Sequence, residues 1–405
     1  MINEVPQPQS EPLPPVTPAQ LKEKIGVTSF AFRGYNVTNM GKSPELLAHP
    51  VYGRYVEQAL EEASRIASDT LGQPVDLVTR VRERQEGTLA NYGQTLLMIV
   101  AVERAQIRIL EDVFEIPYPK AHCSLGYSLG EIAALVASGV YPLETAYPLL
   151  LALGQDASEL AANVTMGVLF SRGERLDFKG VQSLCQRITA EGKGTIGISS
   201  FLAPNAILIL GQGRTVQTFK KHMRDEFSPR PHLRINPDRW PPIHTPIVRQ
   251  HNLCDRTSVR LETAAGGFTP PVPRVLSLLT GNFSYDGSNS RDMIRDWVDH
   301  PQRLWDAITT LLESGVEMVM HVGPEPNIIP ATLSRLENNV LVQLSQNTLA
   351  GFGMWAVSGI ARRRPWLARM VRSDANLLRA PYVRQVMLED WLLEQRVSPR
   401  SIAVS

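Results

Sequence analysis

One stretch constrains this chain more than any other. Residues 121–125 read as a short buried strand, and residues 132–137 as a small-residue helix that stops near Gly139. Between them lies Gly126-Tyr127-Ser128-Leu129-Gly130-Glu131. A chain that passes from strand to helix within so few residues must turn sharply, and a glycine two positions either side of the serine allows the backbone to pack closely there. Strand, tight turn and helix in this order are parts of an α/β sheet that carries its site at the carboxyl end of a strand. The same turn has a chemical consequence. A serine hydroxyl is a weak nucleophile unless a base takes its proton and its oxygen is held clear of its neighbours. The turn exposes the oxygen, and the helix N-terminus aims free N–H groups at the site.

The rest of the chain supplies elements around this turn. Residues 27–32 suit a buried strand followed by a turn at Arg33-Gly34-Tyr35-Asn36. Residues 56–71 and 94–110 have helical apolar spacing. Residues 166–170 and 206–210 suit strands, and 182–191 and 217–226 suit helices, a compact β-α-β-α run inserted into the larger unit. Strand candidates return at 275–279 and 318–322, with a helix at 294–313 between them. The prolines at 6, 8, 12, 14, 15 and 18 predict an extended leader through residue 24. Residues 337–405 carry arginines (Arg362, Arg363, Arg364, Arg369, Arg372, Arg379, Arg384) among apolar residues in a helical pattern. They predict amphipathic helices packed on the main unit, or a docking surface for an acidic partner.

In sequence order, several segments resemble the malonyl-CoA:acyl carrier protein transacylase family, which includes the acyltransferase domains of polyketide synthases. The Ser128 segment resembles that family's Gly-His-Ser-x-Gly-Glu. Gln94-Thr95-Leu96-Leu97 resembles its Gln-Pro-Ala-Leu, and Ile243-His244-Thr245-Pro246 its Phe-His-Ser-Pro. Ile198-Ser199-Ser200 with residues 207–211 and Val322-Gly323-Pro324 match further segments. The resemblance spans residues 25–336. It implies an α/β-hydrolase-like core with a parallel sheet, residues 25–164 and 237–336, and an inserted ferredoxin-like subdomain, residues 165–236. It also implies acyl transfer in fatty acid or polyketide biosynthesis. Ser128 is the nucleophile, His244 the base, and the backbone N–H groups of Leu129 and Arg33 the oxyanion hole. Acyl-CoA is the donor and the pantetheine arm of an acyl carrier protein the acceptor, with no metal and no other cofactor.

The departures bear on the substrate. The family binds the free carboxylate of malonyl-type substrates with an arginine on the helix after the nucleophile. Here the matching stretch, 150–156, contains Gly154 and Gln155 but no arginine. Arg33 replaces the glutamine of the family's Phe-Pro-Gly-Gln-Gly turn, Trp297 the glutamine before its Pro-Val-x-Trp segment, and Tyr127 the motif's histidine. Gln94, Tyr127, Gly154, Gln155 and Trp297 are the candidate pocket residues, and the expected acyl group is uncharged. Arg33 could supply a replacement cation from another wall.

Other readings stay open on the same residues. The Ser–His pair of an eroded pocket could hydrolyse acyl-carrier thioesters, or the chain could be a non-catalytic docking protein. A patatin-like lipase would pair Ser128 with Asp286 of Asp286-Gly287, though Asp-Gly is more often a turn. Composition narrows the field. The chain has 41 Lys+Arg against 40 Asp+Glu, a net charge of +1, which argues against a nucleic-acid partner. Its 3 cysteines are too scattered for a disulfide framework or a metal cluster. With 43% hydrophobic and 20% charged residues, and no membrane-spanning run, a cytoplasmic globular protein is expected.

Overall fold

The computed structural model describes residues 14–172, 174–228, 230–345 and 375–397. In these residues the strands are β1 Thr28–Phe32, β2 Cys123–Gly126, β3 Val164–Phe170, β4 Ile196–Ala203, β5 Ala206–Gln212, β6 His232–Arg239, β7 Val275–Leu276, β8 Met318–Val322 and β9 Arg384–Met387. Five of them form a parallel sheet in the order β7-β2-β1-β8-β9. Every residue of β1 and β8 is buried, as a parallel sheet covered on both faces requires. Side chains alternate between two apolar cores: Phe30, Phe32, Met318 and Met320 enter one, and Ala31, Leu125 and Val319 the other. The register pairs Phe32 with Gly126, so the carboxyl ends of β1 and β2 finish side by side. The loops that leave those ends carry Arg33 and Ser128.

β3 to β6 form a separate antiparallel sheet in the order β4-β5-β3-β6, with the helices Phe178–Ala190 and Thr215–Glu226 packed on it. This β-α-β-β-α-β arrangement is ferredoxin-like. The β-α-β-α reading of the sequence lacked β4 and β6. β6 is an edge strand, His-Leu-Arg-Ile-Asn-Pro-Asp-Arg, and is mostly exposed, so it has no apolar run to betray it.

Two expectations at the ends are corrected. The head is not extended through residue 24. Pro18 begins the helix Pro18–Glu23, where its missing N–H costs nothing, and Thr17 and Gln20 form a capping box. The tail is not only helical. The helix Ile328–Ser345 runs across the expected boundary, and Arg384–Met387 adds β9 beside β8. The helix Leu388–Glu394 then buries Leu388, Trp391 and Leu392. Arg379 donates to the carbonyls of Leu312 and Val316, and Arg384 to that of Pro14. These two arginines tie the chain together. The arginine-rich stretch 362–372 lies outside the described residues. Among the described residues no helix is long and apolar enough to cross a membrane.

Candidate active site

The strand β2 ends at Gly126, and the helix Leu129–Ala137 begins three residues later. Ser128 stands between them with φ 55° and ψ −117°. Both flanking glycines are required by space. A Cβ on Gly126 would lie 2.0 Å from the Gly130 carbonyl carbon, and one on Gly130 would lie 2.3 Å from the Phe32 oxygen. The turn therefore closes only with glycine at both positions, and it lifts Ser128 off the end of the sheet.

His244 reaches Ser128 from the segment that returns from β6. Ser128 Oγ and His244 Nε2 are 2.8 Å apart. The His244 Nδ1–H donates to the Trp297 carbonyl at 2.7 Å, which leaves Nε2 free to accept the serine proton. The imidazole stands edge-on to the Trp297 ring, at 4.7 Å and 90°. The His244 backbone N–H donates to Val298 at 2.8 Å. The side chain is 3% exposed. Burial pushes its pKa down to about 4, opposed by the bond to Trp297, so the imidazole is neutral at pH 7. Asp286, by contrast, is exposed and accepts the N–H groups of Ser288 and Asn289 in its own turn.

Ser128 and His244 both line a cavity of about 310 Å³ between the two sheets, with Tyr35, Tyr127, Trp240 and Arg335 among its walls. A second recess at Ser128, of about 20 Å³, is enclosed by Leu96, Leu129, Leu150, Leu153, Ile243 and Trp297, with Tyr92 at its edge. Tyr127 thus lines the larger cavity and Trp297 the smaller recess. Leu129 opens its helix, and its N–H carries no partner among the described residues.

Four expected residues are elsewhere or otherwise engaged. The Arg33 N–H is not available to an oxyanion, because it donates to Glu103 Oε1 at 2.8 Å. The Arg33 guanidinium is wholly buried and donates to the carbonyls of Gly34, Thr38 and Pro324 and to Asn39 Oδ1. It cannot serve as a substrate cation. Burial lowers its pKa to about 10, with Glu103 foremost among the carboxylates that raise it. Gln94 does not line either cavity; on its helix Tyr92 and Leu96 do, and two residues of rotation turn Gln94 away. Gly154 packs against Gly93 where two helices cross, since a Cβ there would lie 2.5 Å from Gly93 Cα. Gln155 is exposed.

One residue escaped the sequence reading. Gln302 is fully buried, and its Oε1 accepts the Ser128 N–H at 3.2 Å. Its signal was a polar residue in Pro301-Gln302-Arg303-Leu304-Trp305, at the position where the resembled Pro-Val-x-Trp segment has an apolar one.

The site is therefore a strand-to-helix elbow on an α/β fold, with a serine on it and a neutral histidine bonded to that serine. No protein-family model matches the chain. It is 25% identical over 325 residues to the spectinabilin polyketide synthase system protein NorB of Streptomyces orinoci, covering 78% of this chain and 14% of that protein. It is 22% identical over 279 residues to the malonyl CoA-acyl carrier protein transacylase of Bacillus subtilis, covering 68% of this chain and 64% of that enzyme. Among solved structures, a malonyl transacylase in complex with its type II polyketide synthase acyl carrier protein has the same fold. The TM-score is 0.59 at 22% identity, over 75% of this chain and 91% of that one. The chain is thus similar in sequence to polyketide synthases and to a malonyl CoA-acyl carrier protein transacylase, and in fold to malonyl transacylases, and it spans only a small part of the length of the polyketide synthases it matches.

Proposed function

We propose that this chain is a cytoplasmic acyltransferase that moves a short, uncharged acyl group from acyl-CoA to the pantetheine thiol of an acyl carrier protein through Ser128. The observation that carries this reading is the 2.8 Å contact of Ser128 Oγ with a neutral His244 at the floor of an open cavity. His244 Nε2 takes the proton as Oγ attacks the thioester carbonyl. The oxyanion is received by the Leu129 N–H and by that of Tyr35. Tyr35 lines the same cavity, and its N–H has no partner among the described residues. When the C–S bond breaks, the imidazolium returns the proton to the departing thiolate, leaving an ester on Ser128. The carrier thiol then repeats the cycle in reverse, and its bond to carbon replaces the serine ester.

The two spaces at Ser128 suit the two halves of a thioester. The larger cavity is open and takes the long pantetheine arm. The small recess takes the acyl group. Its walls are apolar, and Leu150 and Leu153 stand on the helix that lacks an arginine. A malonyl carboxylate there would be desolvated without a partner, at a cost of a few kcal/mol. A volume of about 20 Å³ admits about one methyl-sized group, which points to acetyl. The carrier protein is proposed as partner because the related malonyl transacylase binds one.

Intact-protein mass spectrometry after incubation with acetyl-, butyryl- and malonyl-CoA tests this. The expected result is an acetyl adduct that is absent in Ser128→Ala and moves to an added carrier protein, with malonyl loading lower by about tenfold or more. Preferential malonyl loading overturns the substrate reading. Release of the acyl group as free acid, with none on the carrier, overturns transfer in favour of hydrolysis.

A further inference from the structure

We propose that Gln302 is a positioning residue that couples the small antiparallel sheet to the nucleophile. The inference rests on Ser128 and His244 acting as the proposed pair. It starts from the backbone of Ser128. Its φ of 55° with ψ of −117° lies outside the regions a serine occupies without strain. Such a conformation costs about 1–3 kcal/mol and persists only where the surroundings hold it. Two bonds do so on the amino side: the Tyr127 N–H donates to Phe32, and the Ser128 N–H donates to Gln302 Oε1. Without the second, the Ser128 N–H would face a partly buried site with no acceptor.

Gln302 is itself held by the other sheet. Its N–H donates to the Ser199 carbonyl at 2.9 Å, and its carbonyl accepts the Phe201 N–H at 2.8 Å and the Ser200 hydroxyl at 3.1 Å. Those three residues belong to β4, and Gln302 pairs with it as a one-residue parallel bridge. The side chain is fully buried, so its reach to Ser128 is fixed by packing at both ends. A shift of β4 therefore carries the acceptor of the Ser128 N–H with it.

The amide has a second consequence. With Oε1 committed to Ser128, its Nε2 lies 3.4 Å from His244 Nδ1, whose hydrogen is already given to Trp297. An N–H therefore faces an N–H, and this contact disfavours the imidazolium. The other ionisable groups that line the cavity around His244 are Tyr35, Tyr92, Tyr127 and Arg335, none of them a carboxylate. A glutamate at 302 would keep an oxygen for the Ser128 N–H and set the other beside His244 Nδ1.

The rate at which a fluorophosphonate labels Ser128, measured against pH on the full-length protein, tests the inference without an acyl donor or a carrier. Gln302→Leu is expected to slow labelling by about tenfold or more. Gln302→Glu is expected to retain labelling near pH 8 and to move the acid limb of the profile upward by about one pH unit or more. Labelling of Gln302→Leu within about twofold of the unmodified protein overturns the inference, as does a Gln302→Glu profile that superimposes on it. If Gln302→Leu does not fold, the Gln302→Glu profile alone decides. Failure of acyl transfer with normal fluorophosphonate labelling would count against the proposed function and leave this inference intact.

Discussion

Two buried hydrogen-bond networks meet beside Ser128, and they handle charge in opposite ways. One joins Ser128, His244, the Trp297 carbonyl and Gln302, and has no formally charged member. The other joins Arg33 to Glu103, Asn39 and three carbonyls. It extends to Glu86, which accepts the Asn39 and Met40 N–H groups, and to Glu389, which accepts those of Lys42 and Glu325. They touch at Gly34, where an added Cβ would lie 2.5 Å from the Tyr127 carbonyl oxygen. The contrast separates two tasks. Charges brace the loops that must not move. The groups proposed to exchange a proton are kept neutral, and the burial of His244 holds it in the form that can accept one. Arg33, from its sequence position a candidate for chemistry, belongs wholly to the bracing side.

The largest effect should come from breaking the charged network. Burial pushes the Glu103 carboxyl well above the usual carboxylate range, while the Arg33 N–H and guanidinium pull it back. Glu103→Ala removes the acceptor of the Arg33 N–H and leaves a buried guanidinium without its neighbour. It is expected to lower the unfolding free energy by about 3–5 kcal/mol, read from the denaturant midpoint. Glu103→Gln keeps an oxygen in place and is expected to lose clearly less. An unchanged midpoint for Glu103→Ala would show that the two networks do not differ as described.

What the sequence disclosed divides along similar lines. The elbow was legible because its cause is local: Gly126 and Gly130 contact backbone within the turn or the adjacent strand. His244 was legible through the residues around it. The roles of Arg33 and Gln302 were not, because each depends on a partner far along the chain. Glu103 is 70 residues from Arg33, and Gln302 is 174 residues from Ser128. Gln94 and Gln155 were misplaced by helical phase: motif position put them at the site, whereas the rotation of each helix presents Tyr92 with Leu96 and Leu150 with Leu153 instead. β9 was hidden by its brevity and its polar Arg384 and Gln385, which suit an edge strand.

A smaller effect is expected on the neutral side, in the recess beside it. Leu153 is 6% exposed and forms part of the wall of that recess. Leu153→Ala enlarges it by several carbon atoms. One methylene in such a pocket discriminates by about 1–3 kcal/mol. The ratio of butyryl to acetyl loading on Ser128 should therefore rise by about tenfold or more. Stability should fall by about 2–5 kcal/mol or less, depending on how far the site collapses. Unaltered chain-length preference in a folded Leu153→Ala protein would place the acyl group in the larger cavity instead.

The smallest effect, and the sharpest test of the neutral network, is its response to acid. His244 has a pKa of about 4 in the folded chain, against an ordinary value of 6.5. Its unprotonated form therefore persists well below neutrality, and Ser128 acylation should be flat from pH 8 to near 5 and fall to about half near pH 4. Stability should follow with a definite sign. Between the two pKa values the unfolded chain binds a proton that the folded one excludes. The stabilisation is thus complete above pH 6.5 and is lost as pH falls towards 4. His321, buried in β8 with a pKa of about 3, acts in the same direction. The two are separable: His321→Gln should flatten the acid loss of stability and leave the acylation profile in place, because His321 does not line the cavity. An acylation limb that sits near pH 6.5 in the unmodified protein would mean that His244 is solvated in the working enzyme, and the division between a charged brace and a neutral pair would fail on its reactive side.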